Sequence, residues 1–125
     1  MNKPIKIVDL FAGPGGLGEG FSSVASESGP VFKIVASVEK EVSAHKTLTL
    51  RAFVRQFKKN EIPEEYYQYI RGSIGIDTLE EKYKKEWIAA NKETLGGPTA
   101  LGKDNDVIHE AIKKALGSNL SLIHI

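Results

Sequence analysis

Apolar positions follow two different rhythms along the first half of the chain. Ile5 to Phe11 reads Ile-Lys-Ile-Val-Asp-Leu-Phe, a short run rich in β-branched and aromatic residues that ends at a cluster of glycines, and it predicts a buried strand. Gly13-Pro14-Gly15-Gly16-Leu17-Gly18 reads as a loop, because so many glycines weaken regular structure. Leu17 to Ala25 then predicts a helix, with Leu17, Phe21, Val24 and Ala25 at helical spacing and Ser28-Gly29-Pro30 as its stop. Phe32 to Val38 predicts a second strand, and Val42 to Phe57 a second helix with Leu50, Phe53, Val54 and Phe57 on one face. Strand, helix, strand, helix in that order predicts an α/β fold with a parallel sheet and crossover helices.

Beyond residue 57 the rhythm weakens. Pro63 to Ile70 predicts a short helix carrying Tyr66, Tyr67 and Tyr69. Leu79 to Asn91 predicts a polar helix; the lysines at 82, 84, 85 and 92 alternate with Glu80, Glu81, Glu86 and Glu93 as a solvated face does. Trp87 is the residue expected to anchor that helix. Leu95-Gly96-Gly97-Pro98 breaks it. Asp106 is a candidate N-cap for a last helix with Val107, Ile108, Ala111, Ile112, Ala115 and Leu116 on one face, and Gly117 is its expected stop. Doubly wound sheets use about five or more strands, and only two are clear here. The helices at 64–91 are therefore expected to have too little to pack against, and the chain is expected to be a fragment.

Composition narrows the chemistry. The 17 basic and 16 acidic residues leave a formal net charge of +1, so no dominant electrostatic grip on nucleic acid is built in. There is no cysteine, which excludes disulfides, thiolate metal ligands and a cysteine nucleophile from these residues. His45, His109 and His124 are far apart in sequence and lack clustered acids, so no metal site is expected. The first residues turn polar too quickly for a signal peptide, and no apolar run approaches the roughly 20 residues of a membrane span, so no membrane partner is expected and the location expected is cytoplasmic. The tyrosines beside Lys58, Lys59 and Arg71 can form a stacking surface for DNA, but such a mixture is more often a helix covering the core.

A strand entering a glycine-rich loop that opens a helix lets backbone approach a ligand closely and presents free N–H groups. Gly13, Gly15 and Gly18 fit G-x-G-x-x-G, and Glu39 follows at the end of the second strand, where an acid can accept hydrogen bonds from both ribose hydroxyls. Lys40 and Glu41 come next, so Glu39 also reads as a solvated helix start. Pattern alone leaves a dinucleotide and S-adenosyl-L-methionine both open. If Gly13-Pro14 is aligned with the glycine-proline pair common in flavoproteins, the preceding glycine falls at Phe11, where a bulky ring blocks a pyrophosphate but can cover an adenine or a sulfonium. That favours the methyl donor.

Asp9-Leu10-Phe11-Ala12-Gly13-Pro14-Gly15-Gly16-Leu17-Gly18 resembles the first motif of the DNA cytosine-C5 methyltransferases, and Val38-Glu39-Lys40 followed by Ser43-Ala44 resembles their second. The resemblance is specific over residues 5–55; from there to Leu116 it is to a variable insertion found in some members. It implies a partial, truncated Rossmann-like S-adenosyl-L-methionine-dependent methyltransferase fold. Residues 1–57 would be the cofactor-binding half and 58–119 a helical insertion before the missing catalytic strand. It implies that Phe11 contacts the adenosyl or methionine part of the cofactor, that Gly13, Pro14, Gly15 and Gly16 line the methionine, that Glu39 binds the ribose and that Lys40 flanks the adenine. Asp9 is the strand-end acid of the motif, or simply caps the loop.

The family mechanism needs a Pro-Cys nucleophile that attacks a flipped cytosine, and a later glutamate. The five prolines here are followed by Ile5, Gly15, Val31, Glu64 and Thr99, so no catalytic residue is expected in this chain, and it is expected to be inactive alone. Double-stranded DNA would be bound through regions of the parent absent here, and the parent is expected to belong to a restriction-modification system with a cognate endonuclease. Leu120-Ser121-Leu122-Ile123-His124-Ile125 resembles adapter read-through, so 120–125 is expected to be a non-native tail. The alternative from another class is a flavin- or nicotinamide-dinucleotide-binding oxidoreductase fragment. A third is a remnant that binds no adenosine ligand.

Overall fold

The computed structural model describes residues 3–117 and 122–124. Strand β1 is Ile5–Asp9, helix α1 Gly16–Ser22, strands β2 and β3 Ala25–Ser26 and Gly29–Pro30, and strand β4 Phe32–Ser37. Helices α2 to α6 are Val42–Val54, Glu64–Ile70, Ile76–Lys82, Lys84–Glu93 and Asn105–Leu116, and β5 is Leu122–His124. The sheet order is β4-β1-β5, with β4 and β5 both parallel to β1. The α/β class and the parallel sheet with crossover helices are as expected from the pattern. Register shifts by one residue between Ile7 and Val8, where β4 carries the extra residue. Of the expected foreign tail, residues 120, 121 and 125 lie outside the described residues.

Several expected boundaries move, each for a local reason. The first strand stops at Asp9 and not Phe11, because the chain turns at Leu10 to enter the glycine loop. Helix α1 ends at Ser22; Val24 and Ala25 leave it, and Ala25–Ser26 pairs with Gly29–Pro30 in a small antiparallel hairpin that turns at Glu27 and Ser28. The second helix ends at Val54, three residues early. The expected polar helix at Leu79–Asn91 is two helices, since Tyr83 at φ −123, ψ 51 steps out of helical geometry. The last helix is capped by Asp104 and not Asp106, which sits in its first turn. Gly117 at φ 60 closes it as expected.

Two cores form. Val8, Ala36 and Leu116 are buried between the sheet and α6, with Leu10, Val35, Leu95 and Ile112 around them. Ala52, Phe53, Leu79 and Ala90 form the other, surrounded by Phe57, Tyr69, Tyr83 and Trp87. The Phe53 ring lies 5.2 Å from Trp87 and 5.3 Å from Phe57, in tilted and edge-to-face contacts. The expectation that the helices at 64–91 lack partners is thus overturned: they bury Phe53 and Leu79 completely. Trp87 does anchor its helix. The sparse apolar residues of α4 and α5 suffice because α2 supplies Ala52 and Phe53, with Leu50 and Val54 beside them, to the same core.

The link from these cores to the sheet's upper end is polar. His45 Nε2–H donates to the Thr94 carbonyl at 2.7 Å, and the Thr49 and Thr94 hydroxyls meet at 2.9 Å, all three side chains being buried. The chain then leaves α5 through Leu95 at φ 62 and Gly96 at φ 75. That reversal sends residues 98–101 back over the end of β4, where Thr99 N–H donates to the Glu39 carbonyl at 2.8 Å. Asp104 holds the segment from its far side, accepting from Ala100 N–H at 2.8 Å.

Candidate cofactor site

The carboxyl ends of β1 and β4 lie side by side, joined past the strands by Val38 N–H to Asp9 carbonyl at 2.8 Å and Ala12 N–H to Val38 carbonyl at 3.0 Å. This places the glycine loop against the acid after β4. Glu39 Oε1 accepts from Gly13 N–H at 2.9 Å, and its Oε2 accepts from Glu41 N–H at 2.8 Å. A carboxylate has about four acceptor positions, so each oxygen keeps capacity for a further donor. Glu41 in turn caps α2, accepting from Ala44 and Ser43 N–H, and these bonds hold its carboxyl below the usual range.

Phe11, Glu39 and Lys40 line one cavity of about 130 Å³, together with Leu10, Val38, Thr99, Ala100 and Leu101. Phe11 is 79% exposed, unusual for a phenylalanine. Gly13 is joined to that cavity through Glu39. Pro14 and Gly16 are exposed on the loop, and a Cβ at Gly13 or Gly16 meets nothing within 4 Å, so the loop leaves open space in front of its backbone. Gly15 faces inward: it is buried, its φ is 95, and a Cβ there comes within 3.0 Å of Leu48 Cδ1. The structure therefore brings Phe11, Gly13, Glu39 and Lys40 together, sets Pro14 and Gly16 beside them, and gives Gly15 a packing role.

Asp9 is 3% exposed beneath the loop. Burial, opposed by the Phe11 N–H and reinforced by the nearby Glu39 charge, raises its carboxyl above the ordinary 3.8. Sequence reasoning missed Thr99, Ala100 and Leu101, which read only as the sequel to a helix break; nothing in their spacing reveals which loop folds over Glu39. A much larger cavity of about 830 Å³ lies elsewhere, between β4, α5 and α6, lined by Lys33, Glu93 and Lys114 among others. It runs along the outer edge of β4, which has no strand beyond it among the described residues, and it contains none of the loop's donors. Size favours that groove; chemistry favours the smaller cavity, where backbone donors and a carboxylate converge.

Of the other residues singled out, His109 is exposed on α6, Tyr69 packs on the second core, and Tyr66 and Tyr67 meet edge to face at 5.2 Å. Among the described residues no group of three His, Asp or Glu can hold a metal, and no helix is long and apolar enough to cross a membrane.

A family profile for C-5 cytosine-specific DNA methylases matches residues 5–85. The chain belongs to that family. The match disfavours the dinucleotide-oxidoreductase alternative and extends through the helices at 64–82, past the point where the two motifs end. Within the methylase family, the chain is 39% identical over 75 residues to the Type II methyltransferase M.Bpa9945I of Bacillus paralicheniformis (strain ATCC 9945a / NCIMB 11709 / CD-2), an alignment covering 60% of this chain and 16% of that protein. This methylase chain thus corresponds to about a sixth of its relative's length. No solved structure matches it.

Proposed function

We propose that the chain is the cofactor-binding portion of a DNA cytosine-C5 methyltransferase and holds S-adenosyl-L-methionine at the β1–β4 switch. The observation that carries this reading is the meeting of the Gly13 loop with the Glu39 carboxylate at the ends of two adjacent parallel strands. The residues fit the group. Glu39 keeps acceptor capacity for two ribose hydroxyls, the exposed ring of Phe11 and the stem of Lys40 flank a cavity sized for a purine, and the open backbone at Gly13, Pro14 and Gly16 admits the methionine. When bound, the cofactor supplies an electrophilic methyl group. Residues 1–57 furnish this half-site, and 58–119 form a helical insertion that closes it from outside the two motifs.

The nucleophile must come from elsewhere, because these 125 residues contain no cysteine. The chain alone is expected to transfer no methyl group, and double-stranded DNA is engaged by other parts of the parent in the cytoplasm. A restriction-modification role, with a cognate endonuclease, is supported by the motif resemblance and by the Type II designation of the relative.

Isothermal titration of the chain with S-adenosylhomocysteine, NAD and FAD tests the cofactor. Binding of the first alone is the expected result; preference for a dinucleotide overturns the proposal. Glu39→Gln should weaken S-adenosylhomocysteine by about tenfold or more, since a buried ribose hydroxyl without its acceptor costs roughly 1–3 kcal/mol. Unchanged affinity would remove Glu39 from the site.

A further inference from the structure

Helix α1 carries the glycine loop, and little in its own sequence holds it in place. It is seven residues long, begins at Gly15 without a side-chain cap, and contains Gly16, Gly18 and Gly20. Glycine is among the weakest helix formers, and a helix this short is not stable by itself. Gly18 is its one buried residue, and Leu17 is exposed. Phe21 packs edge to face on Phe32 at 5.0 Å, but at the end of the helix away from the loop.

At the loop end the tie is ionic. Glu19 stands in the first turn of α1, where its N–H donates to the Gly15 carbonyl at 2.9 Å. Its carboxylate pairs with one terminal nitrogen of Arg55, and the other terminal nitrogen donates to Glu93 of α5 at 2.5 Å. A planar guanidinium with five N–H donors can hold both acids at once. The Arg55 and Glu93 side chains are only 19% and 12% exposed, so salt screens this pairing less than one on the surface. Glu19, Arg55 and Glu93 thus form a chain of two links, from the first turn of α1 through the end of α2 to the last turn of α5. None of the three lines the cavity beside Phe11 and Glu39, so their influence on a ligand there passes through the loop.

Resting on the cofactor reading above, we propose that Arg55 is a positioning residue for S-adenosyl-L-methionine: it clamps α1 to α5 and so holds the glycine loop where the ligand meets it. With the clamp broken, the loop occupies its binding position for a smaller fraction of the time, and the apparent affinity falls by that fraction. Helix α5 of the insertion thereby takes part in cofactor binding without touching the cofactor.

The test breaks each link separately and then both, using Glu19→Ala, Glu93→Gln and the double variant. Glu19 is half-buried on a helix that alanine favours, and glutamine keeps the shape of Glu93, so the fold should survive each change. Each single variant should bind S-adenosylhomocysteine about threefold more weakly, as expected for one charge pair of this exposure. The double variant should also lose about threefold and no more, because either break opens the same clamp. In the ligand-free chain, amide hydrogen exchange at Gly13 and Gly15 should quicken in all three, while that of Phe53 in the core stays unchanged. A double variant weakened by about tenfold, the product of two independent effects, overturns this inference, as does unchanged affinity in either single variant. Faster exchange at Phe53 also overturns it, by showing that the cluster serves the fold as a whole. All three results leave the cofactor reading standing; absence of binding by the unmodified chain overturns that reading itself.

Discussion

Gly15 and Gly16 are neighbours in one loop, but they answer to different constraints. Gly15 has φ 95, a conformation that costs a β-branched residue roughly 1–3 kcal/mol, and its Cβ would press on Leu48 at 3.0 Å. Gly15→Val is therefore expected to destabilise the fold by about that amount, read as a lower denaturant midpoint. Gly16 has ordinary backbone angles and no neighbour within 4 Å, so Gly16→Val should leave the midpoint nearly unchanged while obstructing S-adenosylhomocysteine. Equal midpoints for the two variants would contradict this division of labour. The glycine cluster was plain in the sequence. Which glycine faces the core and which faces open space was not, because that depends on Leu48, more than thirty residues away.

At the scale of elements, α3 is held to α4 by Glu65, which pairs with Lys82 and accepts from the Tyr83 hydroxyl at 2.8 Å. The Lys82 hydrogen bond is the main cause that lowers the Glu65 carboxyl from 4.5 to about 2. A carboxyl depressed in the folded state stabilises it fully above the ordinary 4.5 and loses that contribution as pH falls toward 2. Wild type should thus exceed Glu65→Gln in stability at neutral pH, by a small and salt-sensitive margin since Lys82 is solvent-accessible, and the two should converge in acid. Urea denaturation of both at several pH values checks it; a gap that persists at pH 2 would contradict the assignment. The element order was legible from periodicity. The break at Tyr83 was not: its residue pattern continues helically, while its ring packs edge to face on Phe57 at 5.5 Å.

For the whole molecule, the telling feature is that the insertion shares a core with the motif-bearing half. Phe53 of α2 is completely buried against residues of α4 and α5. Phe53→Ala is expected to cost about 3–5 kcal/mol, a large part of the stability of a domain this size. It should raise hydrogen exchange in 64–93 and in α2 together. If exchange rose in α2 alone, the insertion would be an independent appendage and not part of one core. A second tie runs through Arg55, which bridges Glu19 of α1 and Glu93 of α5; burial raises the Glu93 carboxyl, and the Arg55 charge opposes the rise.

The alternation of strands and helices, the glycine loop, the acid placed after the second strand and the absence of a cysteine were all legible along the chain. These are local: they depend on side-chain period, on backbone freedom at glycine and on residue identity. Tertiary structure decided that Glu39 grips Gly13, that Gly15 serves packing, that the polar helices share a core with α2, and that Thr99 closes the cavity. Each of those depends on contacts between residues far apart in the chain. Periodicity shows which face of an element is apolar but not what will cover it, so a loop that looked like a mere helix break could only be placed over Glu39 once His45, Thr94 and the turn at Leu95 had fixed its direction.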